Sequence, residues 1–347
     1  MARLVRLGLI SILVAGTGAA AWAQDSGFKR SQFYRGVTFH HKVTHVAEGD
    51  INSDGSNEVL ICYREPGDAV NQQGGVLVLT KDFGSYAVAW HAMFETVYPK
   101  KVTIAGSTLT FELVQTTMQA DKTVTKSFVL GKDFEFRGDK GNPFSNVKIS
   151  ASSTLKKDGV SAENIFDRNL KTSWAEGAEG TGVDETVTFE FSEPVNIGLI
   201  GMLHGNYEGR REWRDNNRVH RAEVTVETSS DRYDTESEVD FEADLGLGMY
   251  GDRVDMSFSN KPVMRYFKLN KKGVLSVELK ITSVLLGEKN DDAYIAEVDF
   301  AELITAGRIF GTEKPKKKAV EKEEKKEEEE KEEEEGGDWE EEDDEGF

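Results

Sequence analysis

A short polar segment near the start of the chain concentrates oxygen-bearing side chains in a turn. Its residues are Asp50, Asn52, Asp54, Gly55 and Glu58. Alternate side chains in a tight loop converge on one point, and Ca²⁺ takes roughly six to eight such hard oxygen ligands. The spacing therefore predicts a calcium site that continues directly into a strand. A turn rich in Asp, Asn and Gly that binds no metal is the alternative interpretation.

The same loop resembles the Asp-x-Asn-x-Asp-Gly loops of FG-GAP and VCBS-type repeats. The resemblance implies that the first, third, fifth and ninth positions supply ligands, which are here Asp50, Asn52, Asp54 and Glu58. The sequence holds one copy of the loop, so the resemblance covers about a dozen residues and does not imply a propeller.

Residues that could perform catalysis are sparse. The sequence contains no Gly-x-Ser-x-Gly, His-Glu-x-x-His or phosphate-binding glycine loop. His40, His41 and His45 are close in sequence, but neighbouring residues of a strand point to opposite faces, which favours surface histidines over a metal site. The pair Asp291-Asp292 is unremarkable in so acidic a chain. The sequence therefore predicts no catalytic residues and a protein that is not an enzyme.

The elements that position these side chains are short strands separated by turn residues. β-Branched and aromatic runs bounded by Gly, Asp and Asn recur along the chain. The predicted strands are 59–63, 75–80, 86–91, 101–104, 108–115, 124–130, 147–152, 186–191, 197–203, 222–228, 254–258, 266–269, 277–286 and 295–303. Close spacing without repeated helical crossovers predicts an all-β fold, with one short helical turn at 161–165 and a linker at 138–146.

The charge separates the last part of the chain from the rest. The chain has 63 acidic and 43 basic residues and a formal net charge of −20. Residues 313–347 alone hold 19 acidic and 8 basic residues. Such a Glu/Lys-rich segment cannot bury enough apolar surface to offset its ordering entropy, so we predict disorder over 307–347. The overall charge argues against a general nucleic-acid binder.

The first residues have the pattern of a secretory signal. A basic start is followed by a short apolar run, residues 7–14, and by an Ala-x-Ala end at Ala23. We predict a signal peptide at 1–23, cleavage after Ala23 and export to the periplasm or beyond the cell. A membrane anchor is the alternative. The single cysteine, Cys62, lies in an apolar run and is predicted to be a buried small hydrophobic residue.

The strongest family signal begins at residue 162. Its first part reads Ala-Glu-Asn-Ile-Phe-Asp-Arg-Asn-Leu-Lys-Thr-Ser-Trp-Ala-Glu-Gly, ending at residue 177, and a strand follows at 186–191. This resembles the opening of discoidin or F5/8 type C jelly rolls, with Arg168 in place of the usual Gly. Further matches are Gly205-Asn-Tyr, Asn216-Asn-Arg, Leu285-Leu-Gly and the Ala296-Glu-Val segment.

This order of motifs resembles most closely the bacterial NADase-type glycan-binding domain, over about residues 147–303. The resemblance implies a non-catalytic, galactose-binding-like antiparallel β-sandwich at 143–306, preceded by a small β domain at 24–142. Trp174 is expected in the core. The resemblance also implies a structural Ca²⁺ held by Asp167, Asn169, Thr172 and Glu297, although Asp167 and Thr172 could instead only cap a turn.

A ligand is expected at the polar segment 204–218, because function on β-sandwiches commonly lies in such loops. Tyr207 or Trp213 could offer a flat face to a sugar. The side chains of Arg210, Arg211 and Asn216 could bind its hydroxyls or an acidic group. For Trp213 simple packing is equally open.

Bracing of the loop is the favoured role for its last residues, Asn217 and Arg218. It is favoured over contact with a ligand.

Two functions follow from these observations. The first is an exported, calcium-stabilised protein that binds a glycan or cell-surface polysaccharide through the discoidin-like domain. The second is an exported interaction or structural protein whose acidic tail docks a basic protein partner.

Overall fold

The structure, a computed structural model, describes residues 41–66, 70–82, 85–229, 239–240 and 264–311. The predicted signal peptide, His40, the predicted strand at 254–258 and the chain beyond residue 311 lie outside the described residues. The described chain up to Ala306 belongs to one compact unit, and a second unit begins at Gly307. Within the described ranges, no helix combines the length and apolarity needed to cross a membrane.

The first part of the chain forms seven strands. They are β1 (Lys42–Gly49), β2 (Glu58–Arg64), β3 (Gly74–Asp82), β4 (Ser85–Phe94), β5 (Tyr98–Ala105), β6 (Thr108–Gln115) and β7 (Lys122–Val129).

The second part forms seven more strands and three short helical segments. They are β8 (Lys148–Ala151), a 3₁₀-helix (Ala162–Phe166), β9 (Trp174–Ala175), β10 (Thr186–His204), α1 (Arg210–Asp215), β11 (Asn217–Thr228), β12 (Val239–Asp240), β13 (Arg265–Leu285), β14 (Ala293–Ile304) and α2 (Ala306–Phe310).

One large sheet runs through both parts. Its strand order is β1-β2-β3-β4-β14-β10-β13-β11-β12, with β8 beside β10 and β9 beside β14. The junction is the parallel pairing of β4 with β14, in which Ala92 faces Glu302 and Phe94 faces Ile304. The strands β5, β6 and β7 form a separate antiparallel sheet. The fold is therefore all-β, as predicted, with its two β parts joined edge to edge.

Two apolar cores among the described residues pack the strands of the large sheet. The first fills the β-sandwich of the second part, where Phe300 contacts the rings of Phe144, Phe166, Phe189 and Phe191. Trp174 is fully buried in this core, as predicted, and its indole Nε1 donates to the Ser153 carbonyl at 3.1 Å.

The second core lies where β2, β3 and β4 meet β10, β13 and β14 of the same large sheet. It includes Ile61 and Leu77 from the first part and Leu199, Leu203 and Ala301 from the second. β2 is buried on both faces, which explains its uninterrupted apolar run. Cys62 of this strand is a buried small residue, as predicted. Burial raises the pKa of its thiol.

Most predicted strands are present, with ends displaced by a few residues. The prediction is wrong where it breaks long strands, because 186–191 and 197–203 are one strand with a β-bulge, as are 266–269 and 277–286. It also misses β1, and it places His41 and His45 at the surface, whereas both are half-buried. The expected linker at 138–146 is a series of turns that buries Asn142 and Phe144.

A buried polar network crosses the junction of the two parts. The Tyr63 hydroxyl lies 2.7 Å from His91 Nε2, and His91 Nδ1 lies 2.8 Å from Asp299 Oδ2. The Tyr266 hydroxyl donates to the same carboxylate oxygen at 2.9 Å, and Arg137 donates to the other. Because Asp299 accepts, His91 carries its proton on Nδ1 and accepts from Tyr63 through Nε2.

This network makes the stability of the protein depend on pH. Burial and the charge of Arg137 lower the pKa of His91 to about 3. The folded state therefore binds fewer protons than the unfolded state below pH 6.5. The contribution of His91 is complete above that pH and is lost as the pH falls towards 3. We predict that this histidine accounts for a loss of about 2 kcal/mol of unfolding free energy between pH 6.5 and 5.

Urea unfolding of wild type and His91→Gln at the two pH values measures that difference. A substituted protein should lose about 2 kcal/mol less than wild type. The other buried histidine with a lowered pKa, His204, is present in both proteins and cancels. Equal losses would show that His91 does not titrate as its surroundings require.

Candidate functional site

The predicted calcium loop connects β1 to β2 and is built from side chain to backbone hydrogen bonds. Asp50 accepts from the backbone N–H groups of Asp54 and Gly55 at 3.2 and 3.0 Å. Asn52 also accepts from Asp54 N–H, at 3.1 Å, and Asp54 accepts from Ser56 N–H at 2.7 Å. Gly55 has a φ of 85°, the left-handed conformation that the turn requires.

The fourth predicted ligand, Glu58, closes this loop from beneath. It is fully buried, and its Oε2 accepts from Ile51 N–H at 2.8 Å. Its Oε1 is buried with no hydrogen-bond partner, and burial together with the charges of Asp54 and Asp50 raises its pKa.

The loop thus has the oxygen chemistry that Ca²⁺ requires, together with a buried carboxylate oxygen that lacks a donor. Within the described residues no three His, Cys, Asp or Glu side chains are arranged to hold a metal. The present hydrogen bonds are those of a polar turn, so a calcium ion would have to replace some of them. Calcium binding here stays a prediction.

The second predicted cation set forms a turn beside β14. Asp167 accepts from Asn169 N–H at 2.7 Å and from the Thr172 hydroxyl at 2.6 Å. Asn169 Oδ1 accepts from Lys171 N–H at 3.2 Å. These are the turn-capping bonds that the alternative interpretation described.

The last member of that set, Glu297, is already satisfied by protein donors. Its Oε2 accepts from Arg168 N–H at 3.0 Å, and its Oε1 lies 3.4 Å from Arg137 Nη1. Arg168 adopts a φ of 63°, the conformation for which the related sequences use Gly. In this arrangement the oxygens of Asp167 and Glu297 are therefore held by N–H and O–H donors, with the Arg137 cation beside Glu297.

The predicted ligand segment contains a helix that the sequence did not reveal, α1. Trp213 of this helix is buried, and the guanidinium of Arg218 lies 4.5 Å from its ring centroid. Arg218 also donates to the carbonyls of Trp213 at 2.6 Å and Leu286 at 3.1 Å. The packing interpretation of Trp213 and the bracing role of Arg218 are what the structure shows.

The asparagines beside the helix brace it too. Asn216 is buried, and its amide donates to the Glu212 carbonyl at 2.6 Å while its oxygen accepts from Asn290 at 2.8 Å. Asn217 donates to the Asp291 carbonyl at 2.5 Å and accepts from Gly287 N–H at 2.7 Å.

The structure therefore separates the five predicted ligand residues into two groups. Trp213 and Asn216 are buried inside the loop, and Tyr207 is half-buried, with burial raising the pKa of its hydroxyl. Arg210 and Arg211 are exposed at the surface. Of the five, the two arginines are the ones whose side chains are exposed to a ligand in this conformation.

Three loops are joined beside α1, the helix that carries these arginines. Gly182 of the 176–185 loop approaches Ala293, and Glu176 accepts from Ala293 N–H at 3.3 Å. The 286–292 loop reaches α1 through Lys289, whose Nζ lies 2.7 Å from Asp215 Oδ2. Asp215 also pairs with Arg211 at 3.4 Å. Sequence reasoning missed Asp215, for which the i, i+4 spacing from Arg211 is the available signal.

A second residue that sequence reasoning missed is Arg137, which lies just before the predicted linker. Its burial had no local signal, because its partners Glu297 and Asp299 are about 160 residues away along the chain. The Tyr63–His91–Asp299 chain has the residue types of a catalytic relay. These three side chains are fully buried, so no substrate reaches them in this structure.

The model of the NAD glycohydrolase translocation F5/8 type C domain family matches residues 142–301. No curated protein matches this chain.

Three solved structures each resemble just under half of the chain. The family 32 carbohydrate-binding module of NanJ from C. perfringens, in complex with galactose, is 14% identical, with 46% of this chain and 95% of that chain covered and a TM-score of 0.32. An F5/8 type C domain from Bacteroides fragilis is 13% identical, with 46% and 94% covered and a TM-score of 0.31.

The lectin-binding domain of Lectinolysin, complexed with Lewis b, is 15% identical, with 47% of this chain and 98% of that chain covered and a TM-score of 0.29. The motif order, the antiparallel sandwich around Trp174 and the family match agree on the same residues. Residues 142–301 therefore match the NAD glycohydrolase translocation F5/8 type C domain family, over a little less than half of the chain.

Proposed function

We propose that this protein is an exported, non-catalytic binding protein that recognises a glycan through the loop end of its discoidin-like domain. The observation that carries the proposal is the braced loop 204–218, which buries Trp213 and Asn216 and exposes Arg210 and Arg211. Function on a β-sandwich commonly lies in loops that a rigid scaffold positions.

The bracing supports recognition because the loop carries little freedom to lose on binding. Arg218 and Asn217 tie it to the 286–292 loop through the Leu286 carbonyl and Gly287 N–H. Side chains that are ordered before binding cost less conformational entropy when a ligand arrives.

The surface chemistry of this end suits a hydroxyl-rich ligand. The side chain of Arg211 is 72% exposed even though it reaches Asp215. Guanidinium groups are fixed fans of N–H donors, which bind sugar hydroxyls or a sugar carboxylate. Val183 and Leu286 are the exposed apolar residues of the neighbouring loops, and they could contact the C–H face of a sugar.

We also propose that Ca²⁺ stabilises the first part of the chain at the Asp50–Glu58 loop. The support is the oxygen donor set and the buried, unpartnered Oε1 of Glu58. A bound calcium would neutralise this carboxylate together with Asp50 and Asp54 and would fix the loop between β1 and β2.

The proposed ligand site is tested by substitution of its two exposed arginines. Replacing Arg210 and Arg211 together by alanine should weaken binding of the preferred glycan at least about tenfold, because hydrogen bonds to charged groups contribute about 1.5–3 kcal/mol each. A glycan array identifies the ligand, and isothermal titration measures the affinity. Lys148→Ala, an exposed cation on β8, is the matched control and should bind as wild type does.

An array without any saturable signal would contradict the proposal. So would an Arg210→Ala, Arg211→Ala protein with unchanged affinity. A protein partner that is captured by wild type and lost on deleting residues 313–347 would favour the interaction role of the acidic tail.

The proposed calcium site at the Asp50–Glu58 loop is tested by thermal stability. Millimolar Ca²⁺ should raise the Tm of wild type, and Asp54→Ala should abolish that rise. Glu58→Gln should raise the Tm without calcium, because the folded state disfavours the charged carboxylate at neutral pH, and it should reduce the response to Ca²⁺.

Differential scanning calorimetry with Ca²⁺ or a chelator makes this measurement. Asp121→Ala, an exposed aspartate of a different turn, should keep the full response to calcium. A Tm that calcium leaves unchanged in wild type would rule out the site.

A further inference from the structure

We propose that the guanidinium of Arg137 is the structural cation of the discoidin-like domain, in place of the metal ion that the sequence predicts at Asp167, Asn169, Thr172 and Glu297. This cation is part of the chain itself. It comes from the segment between β7 and β8, outside the residues that match the family model.

The first support is the position of the charge. Arg137 Nη1 lies 3.4 Å from Glu297 Oε1, and Nη2 donates to Asp299 Oδ1. The three side chains are 6%, 5% and 0% exposed. One planar guanidinium therefore bridges two buried carboxylates of β14, an arrangement that suits its fork of N–H donors.

The second support is that the guanidinium is fixed from two sides. Its Cζ lies 4.5 Å from the ring centroid of Phe166, at the end of the 3₁₀-helix. The backbone N–H of Arg137 donates to the Ala89 carbonyl of β4 at 2.6 Å. Arg137 thus lies between β4 and the 3₁₀-helix that leads into the turn with Asp167.

The third support is that the oxygens of the predicted metal set already have donors. Glu297 accepts from Arg168 N–H, and Asp167 accepts from Asn169 N–H and the Thr172 hydroxyl. A divalent ion at Glu297 would have to displace these donors and lie close to the Arg137 charge, which it would repel.

The consequence is that this domain does not take its cation from solution. Its buried carboxylates depend on a residue that the preceding β part presents. The proposed calcium at the Asp50–Glu58 loop is independent of Glu297. Asp54→Ala abolishes binding at that loop, so any calcium measured belongs to another site.

The experiment has a metal arm and a coupling arm, both on the full chain carrying Asp54→Ala. In the metal arm, equilibrium dialysis with ⁴⁵Ca²⁺ compares this parent with the same protein carrying Glu297→Gln. We expect no bound calcium that depends on Glu297. One calcium per chain in the parent that Glu297→Gln removes would overturn the proposal.

In the coupling arm, thermal melting compares Arg137→Met, Glu297→Gln and the double variant. Arg137→Met should lower the Tm by roughly 10 °C, because it leaves two buried carboxylates without a cation. Adding Glu297→Gln should then recover part of that loss, so the change in Tm that Glu297→Gln causes should be more favourable beside Arg137→Met than in the parent. Purely additive changes would show that Arg137 acts by packing alone and would overturn the proposal.

If Arg137→Met does not fold, Arg137→Lys takes its place in the same cycle. It keeps a positive charge but not the two-carboxylate geometry, so we expect a smaller loss of Tm than for methionine. A lysine variant as stable as the parent would overturn the bridging role. The metal arm needs no substitution of Arg137, so it tests for calcium at Glu297 even if no Arg137 variant folds.

Discussion

One buried carboxylate, Asp299, is the point on which the assembly of the two β parts depends. It is fully buried on β14 and accepts hydrogen bonds from His91 of β4 and Tyr266 of β13, and it is paired with Arg137. A buried charge costs several kcal/mol unless it is paired and its oxygens are satisfied. These donors come from three separate regions of the chain, so the regions must be in place together for any of them to be stable there.

The requirement explains why the two β parts share a sheet. The parallel pairing of β4 with β14 brings the two strands side by side, and the side chain of His91 reaches Asp299 Oδ2 at 2.8 Å beside the second apolar core. The fit is close, since a Cβ at Gly198 would lie 2.8 Å from the Cβ of Met93. A boundary at residue 142 is therefore a boundary of sequence similarity, while the packing continues across it.

Some of this architecture could be predicted from the sequence, because it depends on local pattern. The run from Val59 to Tyr63 predicts a buried strand, and Trp174 beside an Asp-containing turn predicts a core residue. The role of Arg137 could not be predicted, because a charged residue before a Gly- and Asn-rich segment looks like solvent-exposed linker. Its burial is decided by long-range pairing with β14, which no local pattern encodes.

The candidate ligand site shows the same division between local and long-range information. The polar, aromatic composition of 204–218 identifies a loop of interest, but composition does not distinguish an aromatic that contacts ligand from one that packs. The distinction for Trp213 comes from Arg218, which covers its ring, and from Leu286, whose carbonyl holds Arg218 in place. The aromatic residue thereby becomes support for the exposed arginines.

For the proposed glycan ligand, buried Trp213 and exposed Arg210 and Arg211 favour recognition by hydrogen bonding over stacking on an aromatic ring. The 176–185, 205–216 and 286–292 loops are joined by bonds that use backbone groups: the side-chain amide of Asn217, which follows the 205–216 loop, donates to the Thr181 and Asp291 carbonyls at 3.4 and 2.5 Å. A loop held by its neighbours keeps its exposed side chains near one geometry without a bound metal. With the proposed Arg137 cation at Glu297 and these bonds between the loops, the rigidity of this end would come from the chain itself, and the proposed glycan recognition would need no ion from solution.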